Sequence, residues 1–221
     1  MNKLTTLKQA LEGVNDGMSI MVGGFMTVGT PESLIDALLD TQPCDLTIIC
    51  NDAGLPGKGA GKLIRAGVVK QFLASHVGLN PEFGLSMSRG DIDAVLIPQG
   101  TLAEQIRAGG VGFGGFLTAT GVGTEVEQGK QKITLQGREF ILEMPLKADV
   151  ALIKADRADK AGNLVFRKSA QNFNPLMAMA CSYVIVEATH IEEIGAIDPD
   201  HVMLPGMFVD AVVKTEEISI D

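Results

Sequence analysis

The chain has no tryptophan, one tyrosine and three cysteines in 221 residues. Cys44, Cys50 and Cys181 are odd in number and match no zinc or C-x-x-C spacing. They read as structural thiols, which points to a reducing compartment. Basic residues are the minority, with 18 Lys and Arg against 27 Asp and Glu, a net charge of −9. Without a basic run, nucleic acid and an anionic membrane surface are poor partners, because phosphate backbones need a cationic face. A small anion stays open as a ligand, since backbone N–H groups can hold one. Long apolar runs are also missing. The most apolar early stretch, residues 18–29, is too short and too rich in glycine to span a bilayer. MNKLTTLKQALEG is broken by Thr5, Thr6, Lys8 and Gln9 and contains no signal-peptide core. These features predict a cytoplasmic protein.

What is abundant is glycine, 26 residues, about 12% against a usual ~7%. A small-residue interior suits close strand–helix packing and loops that let a ligand approach the backbone. Short Val/Ile/Leu runs at 18–22, 46–50, 69–74, 94–97, 150–153 and 183–186 are nearly continuous, as strands covered on both faces are. Helix signals lie between them. Thr6 with Gln9, and Thr101 with Glu104, have capping-box spacing. Thr30-Pro31 reads as an N-cap and starting proline for a helix over 32–39. Gly109-Gly110 reads as the end of the helix that begins near Thr101. Residues 131–135 and 139–142 around Gln136-Gly137 read as a hairpin. The sum is an α/β fold in one domain, residues 1–221. Its sheet is mainly parallel, has six or seven strands, is flanked by helices and carries one antiparallel excursion.

Chemistry has few places to reside. His76, His190 and His201 have no metal-ligand spacing, and there is no G-x-S-x-G elbow, so no metal is expected. Gly57-Lys58-Gly59-Ala60-Gly61-Lys62 lacks the glycine and the Ser/Thr of a phosphate loop. Residues 110–115 fit G-x-G-x-x-G literally, but they follow a helix and precede no helix, so they read as a glycine loop. The stretch 16–31 is more promising. An apolar strand runs into Gly23-Gly24, continues through Phe25, Met26, Thr27, Val28 and Gly29, and reaches a helix start at Thr30-Pro31. That geometry presents N–H groups to an anion, or makes only a tight turn. Gln99 and Asn51 sit at two other strand ends, where ligands gather in open α/β sheets. Either supplies an amide donor to an oxyanion, or merely makes a turn. His76 ends a third strand.

The segment Asp16-Gly17, an apolar run, Gly23-Gly24-Phe25 and Gly29-Thr30-Pro31 resembles the signature of the family I coenzyme A transferases, in their α subunit. Further stretches agree in order: Asn51-Asp52, Ser75 to Glu82, Val95 to Leu102, Arg107 to Gly110, Gly114 to Thr118, Gly121 to Thr124, Leu142 to Leu146, Gly162-Asn163-Leu164 and Ala170 to Pro175. The resemblance runs from about residue 5 to 213 and is strongest to the acetate, acetoacetate and butyrate types. It implies movement of coenzyme A (CoA) from a short-chain acyl-CoA to a carboxylate through a glutamyl-CoA thioester. The nucleophilic glutamate of that family lies in a Ser-Glu-Asn-Gly motif on the β subunit, and this chain has no such motif. The resemblance therefore implies a β-subunit partner in an α2β2 heterotetramer. CoA enters as substrate and no cofactor is permanently bound. Gly23 to Gly29 would contact CoA, Gln99 would be the catalytic donor, and Asn51, His76, Gly115 and Phe116 would line the substrate pocket. Subunits of the family that handle 3-oxoadipate carry Ser-Phe-Pro-Arg where this chain has Ser75-His76-Val77-Gly78, so a monocarboxylate acceptor is expected. The alternative is a non-catalytic ligand-sensing module of the same general fold. A sugar-phosphate isomerase of that fold would need an acid/base pair that is not found here.

Overall fold

The computed structural model describes residues 2–215. β1 (Ser19–Val22), β2 (Leu46–Ile49), β3 (Val69–Ala74) and β4 (Asp93–Leu96) follow one another across the sheet. The helices α1 (Leu7–Leu11), α2 (Glu32–Asp40), α3 (Ala60–Ala66) and α4 (Pro81–Arg89) precede or link them. α5 (Gln99–Val111) then leads to a separate antiparallel sheet of β5 (Phe116–Thr118), β6 (Lys132–Leu135) and β7 (Arg138–Glu143). The chain returns to the main sheet with β8 (Ala148–Asp159), β9 (Leu164–Val165), α6 (Asn174–Ala180), β10 (Cys181–Glu192) and β11 (Ala211–Lys214).

The main sheet runs β11-β10-β8-β1-β2-β3-β4, and every neighbouring pair on that path is parallel. β9 lies antiparallel on β8 and makes it eight-stranded, against the six or seven expected. β9, two residues long, and β11, four, are too short to declare themselves by periodicity. The order reverses between β1 and β8, and that switch point opens a crevice at the carboxyl ends of the strands.

Alternate side chains of the strands enter two cores. Ile20, Val22, Ile48 and Phe72 pack under α2, α3 and α4 with Leu34, Ile35, Leu38, Leu63 and Phe83. Met21, Ile49, Ala151 and Ile153 pack under α5 and α6 with Leu102, Ile106 and Met177. This two-sided burial is why the strands read as unbroken apolar runs. The edge strand β4 is the exception, with Val95 and Leu96 38% and 52% exposed.

Several local expectations hold. Thr6 and Gln9 form the capping box of α1. Gln136 and Gly137 turn the β6–β7 hairpin with φ of 50° and 77°, as a type I′ turn requires. Two helix termini differ from expectation. Thr30 does not cap α2. The Ser33 and Leu34 N–H groups instead donate to Glu187 Oε2 of β10, at 2.8 and 3.1 Å. α5 begins at Gln99 rather than Thr101, whose hydroxyl lies inside the helix. It also runs through Gly109-Gly110 to Val111 and closes on Gly112 in the left-handed conformation. The glycine pair is there for close approach: a Cβ at Gly109 would lie 2.1 Å from Leu146 O, and one at Gly110 would lie 2.7 Å from Met179 Cβ. The hairpin is in fact two strands of three, because β5 adds to β7.

β1 ends against α6 with no room to spare. A Cβ at Gly23 would lie 1.8 Å from Oδ1 of the fully buried Asn174. Gly23→Ala is therefore expected to cost about 1–3 kcal/mol through overpacking. For a chain of this size that lowers the melting temperature by several degrees, at about 2–4 °C per kcal/mol. Gly13→Ala, which meets nothing within 4 Å, serves as the control and should melt within about a degree of wild type. Equal melting of the two variants in a calorimetric scan would contradict the packing.

Candidate active site at the strand ends

Gly23, Asn51, His76 and Gln99 all lie just beyond the carboxyl ends of four adjacent parallel strands, β1 to β4. Parallel pairing is what collects residues so distant in sequence. Gln99, exposed at the first turn of α5, donates Nε2–H to Asn51 Oδ1 at 2.7 Å. Asn51 is 1% exposed. Its Oδ1 also accepts from Ser75 Oγ at 3.0 Å, and its Nδ2 donates to Asp52 Oδ2 at 2.8 Å. Asp52 Oδ2 takes a further bond from the Met26 N–H at 2.8 Å, while Oδ1 takes one from the Gly54 N–H at 2.9 Å. A continuous chain of hydrogen bonds thus runs from the exposed Gln99 amide to the glycine loop.

That loop is a tight reverse turn. Phe25 and Val28 exchange both main-chain hydrogen bonds, and Met26 and Thr27 between them have φ of 46° and 69°. Left-handed backbone in two non-glycine residues, one of them β-branched, stores about 1–3 kcal/mol apiece. Asp52 from one side and two asparagines from the other hold it there. Asn172 Nδ2 donates to Val28 O at 3.0 Å, and Asn174 Nδ2 donates to Gly29 O at 3.0 Å. The N–H groups of Gly24, Thr27 and Gly29 donate to no described residue; Gly24 is buried, while Thr27 and Gly29 are half-buried. Phe25, Met26 and Val28 are 39%, 46% and 47% exposed, an apolar rim on the same turn. Beneath the loop, a recess of about 10 Å³ lies between Gly24, Asn51, Asp52 and Gly59. It admits about one water-sized group, so a substrate must lie outside it.

The remaining predicted residues are placed differently. His76 is exposed, and its main chain bonds to residues 51 and 53. Phe116 begins β5 of the small antiparallel sheet, Gly115 directly precedes it, and neither is part of the hydrogen-bonded chain. Sequence reasoning did not single out Asp52 or Asn174 as functional, although both fall in stretches that carry the family resemblance. Their bonds to the loop join segments 26 and 145 positions apart, and no local pattern announces such a pairing.

The surroundings of all three thiols disfavour the thiolate. Burial, and then the Asp52 carboxylate, push the Cys50 thiol well above its ordinary value. Burial pushes Cys181 up to about 12. The exposed Cys44 is raised mainly by its hydrogen bond to Asp16. Among the described residues no group of three His, Cys, Asp or Glu side chains could hold a metal ion. No described helix is long and apolar enough to cross a membrane.

A family model described as coenzyme A transferase matches residues 4–215. The chain belongs to the coenzyme A transferase family. This transferase is 52% identical over 215 residues to the alpha chain of the acetate CoA-transferase of Escherichia coli K12, covering 97% of this chain and 98% of that one. It is 51% identical over 207 residues to one of the subunits of the succinyl-CoA:3-ketoacid coenzyme A transferase of Xanthomonas campestris pv. campestris B100, covering 93% and 86%. In fold it is similar to an acyl-CoA transferase from E. coli O157:H7 crystallised as a thioester complex with CoA. The TM-score there is 0.86 at 23% identity, over 97% of this chain and 47% of that chain, so the CoA-transferase subunit spans about half of that polypeptide. These likenesses place it among enzyme subunits and do not favour a sensing module.

The raised thiols carry an outcome that a disulfide-exchange reagent can read. A thiol whose pKa is raised holds less thiolate at any pH below it, so reaction slows and gains about tenfold per pH unit. At pH 8 the folded CoA-transferase subunit is expected to react at Cys44 alone, more slowly than a free thiol. In denaturant all three cysteines should react. Rapid native labelling of Cys50 would show that the strand end is open.

Proposed function

We propose that this chain is the α subunit of a short-chain acyl-CoA:carboxylate CoA-transferase, working with a β subunit that carries the nucleophilic glutamate. The observation that carries the reading is the polar chain Gln99–Asn51–Asp52–Met26, which fixes one exposed amide and one strained glycine loop relative to each other. In this reading the partner's glutamate attacks the thioester carbonyl and displaces the CoA thiolate, leaving a mixed anhydride. The thiolate then attacks the glutamyl carbonyl of the anhydride, releasing the donor's acyl group as a free carboxylate and giving a glutamyl-CoA thioester, and a second carboxylate reverses the sequence. The carbonyl oxygen gains negative charge at each attack, and Gln99 donates an N–H to it. Asn51 is a positioning residue: by accepting one Gln99 N–H it aims the other. In this reading Phe25, Met26, Thr27, Val28 and Gly29 form the surface on which CoA rests, with the buried Gly23 and Gly24 behind it. His76, Gly115 and Phe116 face the acyl group once the β subunit, in an α2β2 assembly, closes the crevice.

The acceptor is a short monocarboxylate or 3-oxo acid. A second carboxylate buried in the pocket would need a cation, or its desolvation would cost several kcal/mol. His76-Val77-Gly78 offers no arginine at that place. Relatives of nearly equal identity bear acetate and succinyl-CoA names, so identity alone does not select the substrate.

The test is reconstitution. The purified chain should be folded and inactive, and CoA transfer should appear when a β subunit is added. Gln99→Ala should then lower kcat by about 10²–10³ without loss of folding. A fall of less than tenfold would reduce Gln99 to a turn residue. Ordinary activity of the chain alone would refute the shared site. In the same complex, kcat/KM for acetoacetate should exceed that for succinate. The reverse order would mean that the partner supplies the missing cation.

A further inference from the structure

Beyond the catalytic amide, on the other side of the glycine loop, lies an open recess of about 480 Å³ bordered by Val28, Gly29, Lys154, Arg167, Lys168 and Ala170. Its charge is unlike that of the molecule. The chain carries −9 overall, yet the titratable groups lining this recess are Lys154, Arg167 and Lys168 against the single carboxylate of Asp156. Lys154 is already committed, with Nζ 2.6 Å from the buried Glu187 Oε1. Arg167 and Lys168 form no ion pair with any described residue, and both are exposed.

The cations are also held in place. Lys168 has φ of 53°, a left-handed conformation that a non-glycine residue adopts at a cost. The short 3-10 turn Lys168–Gln171 keeps it because the turn is bonded to the glycine loop. Asn172 Nδ2 bridges Val28 O and Ser169 O at 3.0 and 2.8 Å. Asn174 Nδ2 bridges Gly29 O and Ala170 O at 3.0 and 2.8 Å. A Cβ at Gly29 would lie 2.7 Å from Ala170 O, so the two segments touch. Loop and turn therefore make one wall, which carries two uncommitted cations on the turn.

We propose that this recess binds the phosphate end of coenzyme A, with Arg167 and Lys168 meeting the 3′-phosphate. The proposal rests on the CoA-transferase reading above and extends it to where the far end of the substrate lies. A guanidinium offers a planar fork to two phosphate oxygens, and an ammonium adds a point charge. Ser169 and Thr189 line the same recess and add polar residues to it.

The test compares acetyl-CoA with 3′-dephospho-acetyl-CoA in the reconstituted complex. Wild type should show a KM lower by about tenfold for acetyl-CoA, the size of a charge-assisted hydrogen bond. The Arg167→Ala/Lys168→Ala double variant should raise the KM for acetyl-CoA about tenfold or more and change kcat far less. It should leave the KM for the dephospho substrate nearly unchanged. An acetyl-CoA KM within twofold of wild type would overturn the subsite while leaving the transferase reading intact, because wild type still transfers CoA. An equal rise for both thioesters would overturn the phosphate assignment. If wild type transfers no CoA, the transferase reading falls, and calorimetry with adenosine 3′,5′-bisphosphate decides the recess. Binding that the double variant weakens tenfold upholds it, and no binding ends it.

Discussion

The buried amide of Asn174 is the constraint on which the strand-end geometry depends. Its Oδ1 accepts from the Lys154 N–H at 3.0 Å, and its Nδ2 donates to the carbonyls of Gly29 and Ala170. One side chain therefore joins β8, the glycine loop and the cationic turn. It can do so only because residue 23 has no Cβ. A larger residue there would displace the amide, and the polar groups it satisfies would be left buried and unpaired, at about 1–3 kcal/mol each. Everything described at the strand ends is built on that close contact.

Two carboxylates do related work. Asp52 and Glu187 are 8% and 1% exposed, and each accepts two main-chain N–H groups; Glu187 also accepts from Ser33 Oγ, Lys154 Nζ and Thr215 Oγ1. Asp52 holds the loop at Met26; Glu187 holds the first turn of α2 and neutralises Lys154. Both carboxylates are buried and already bonded, so neither presents free negative charge beside the loop.

The parallel sheet and its flanking helices were legible because two-sided burial writes unbroken apolar runs. The placing of Gly23, Asn51 and Gln99 together at the strand ends was legible because strand-to-helix junctions in a parallel sheet share one edge. What escaped has a physical reason in each case. β8 and β10 run on to Asp159 and Glu192, and in their later halves polar residues interrupt buried alanines: Ala155, Ala158 and Ala188 enter the core, while Arg157 pairs with Glu192 outside it. The apolar pattern weakens there and the ladder does not. Gly109-Gly110 has the look of a helix end because glycine usually ends helices; here it admits a neighbouring backbone. The cap of α2 comes from residue 187, far beyond the reach of any local motif. Asn172 and Asn174 act across about 145 positions, and their partners are carbonyls, which every residue possesses.

The edge strand β4 pairs only with β3 among the described residues, and its Val95 and Leu96 lie open to solvent. A parallel edge with unpaired main-chain groups and outward apolar side chains is a template for adding another strand. Natural sheets often blunt such edges with lysine, proline or a bulge, and β4 reads Asp93-Ala94-Val95-Leu96. The consequence falls on the cell that makes the protein. Wherever that edge stays uncovered, copies of the chain are exposed to pairing along it, and a high local concentration works against solubility.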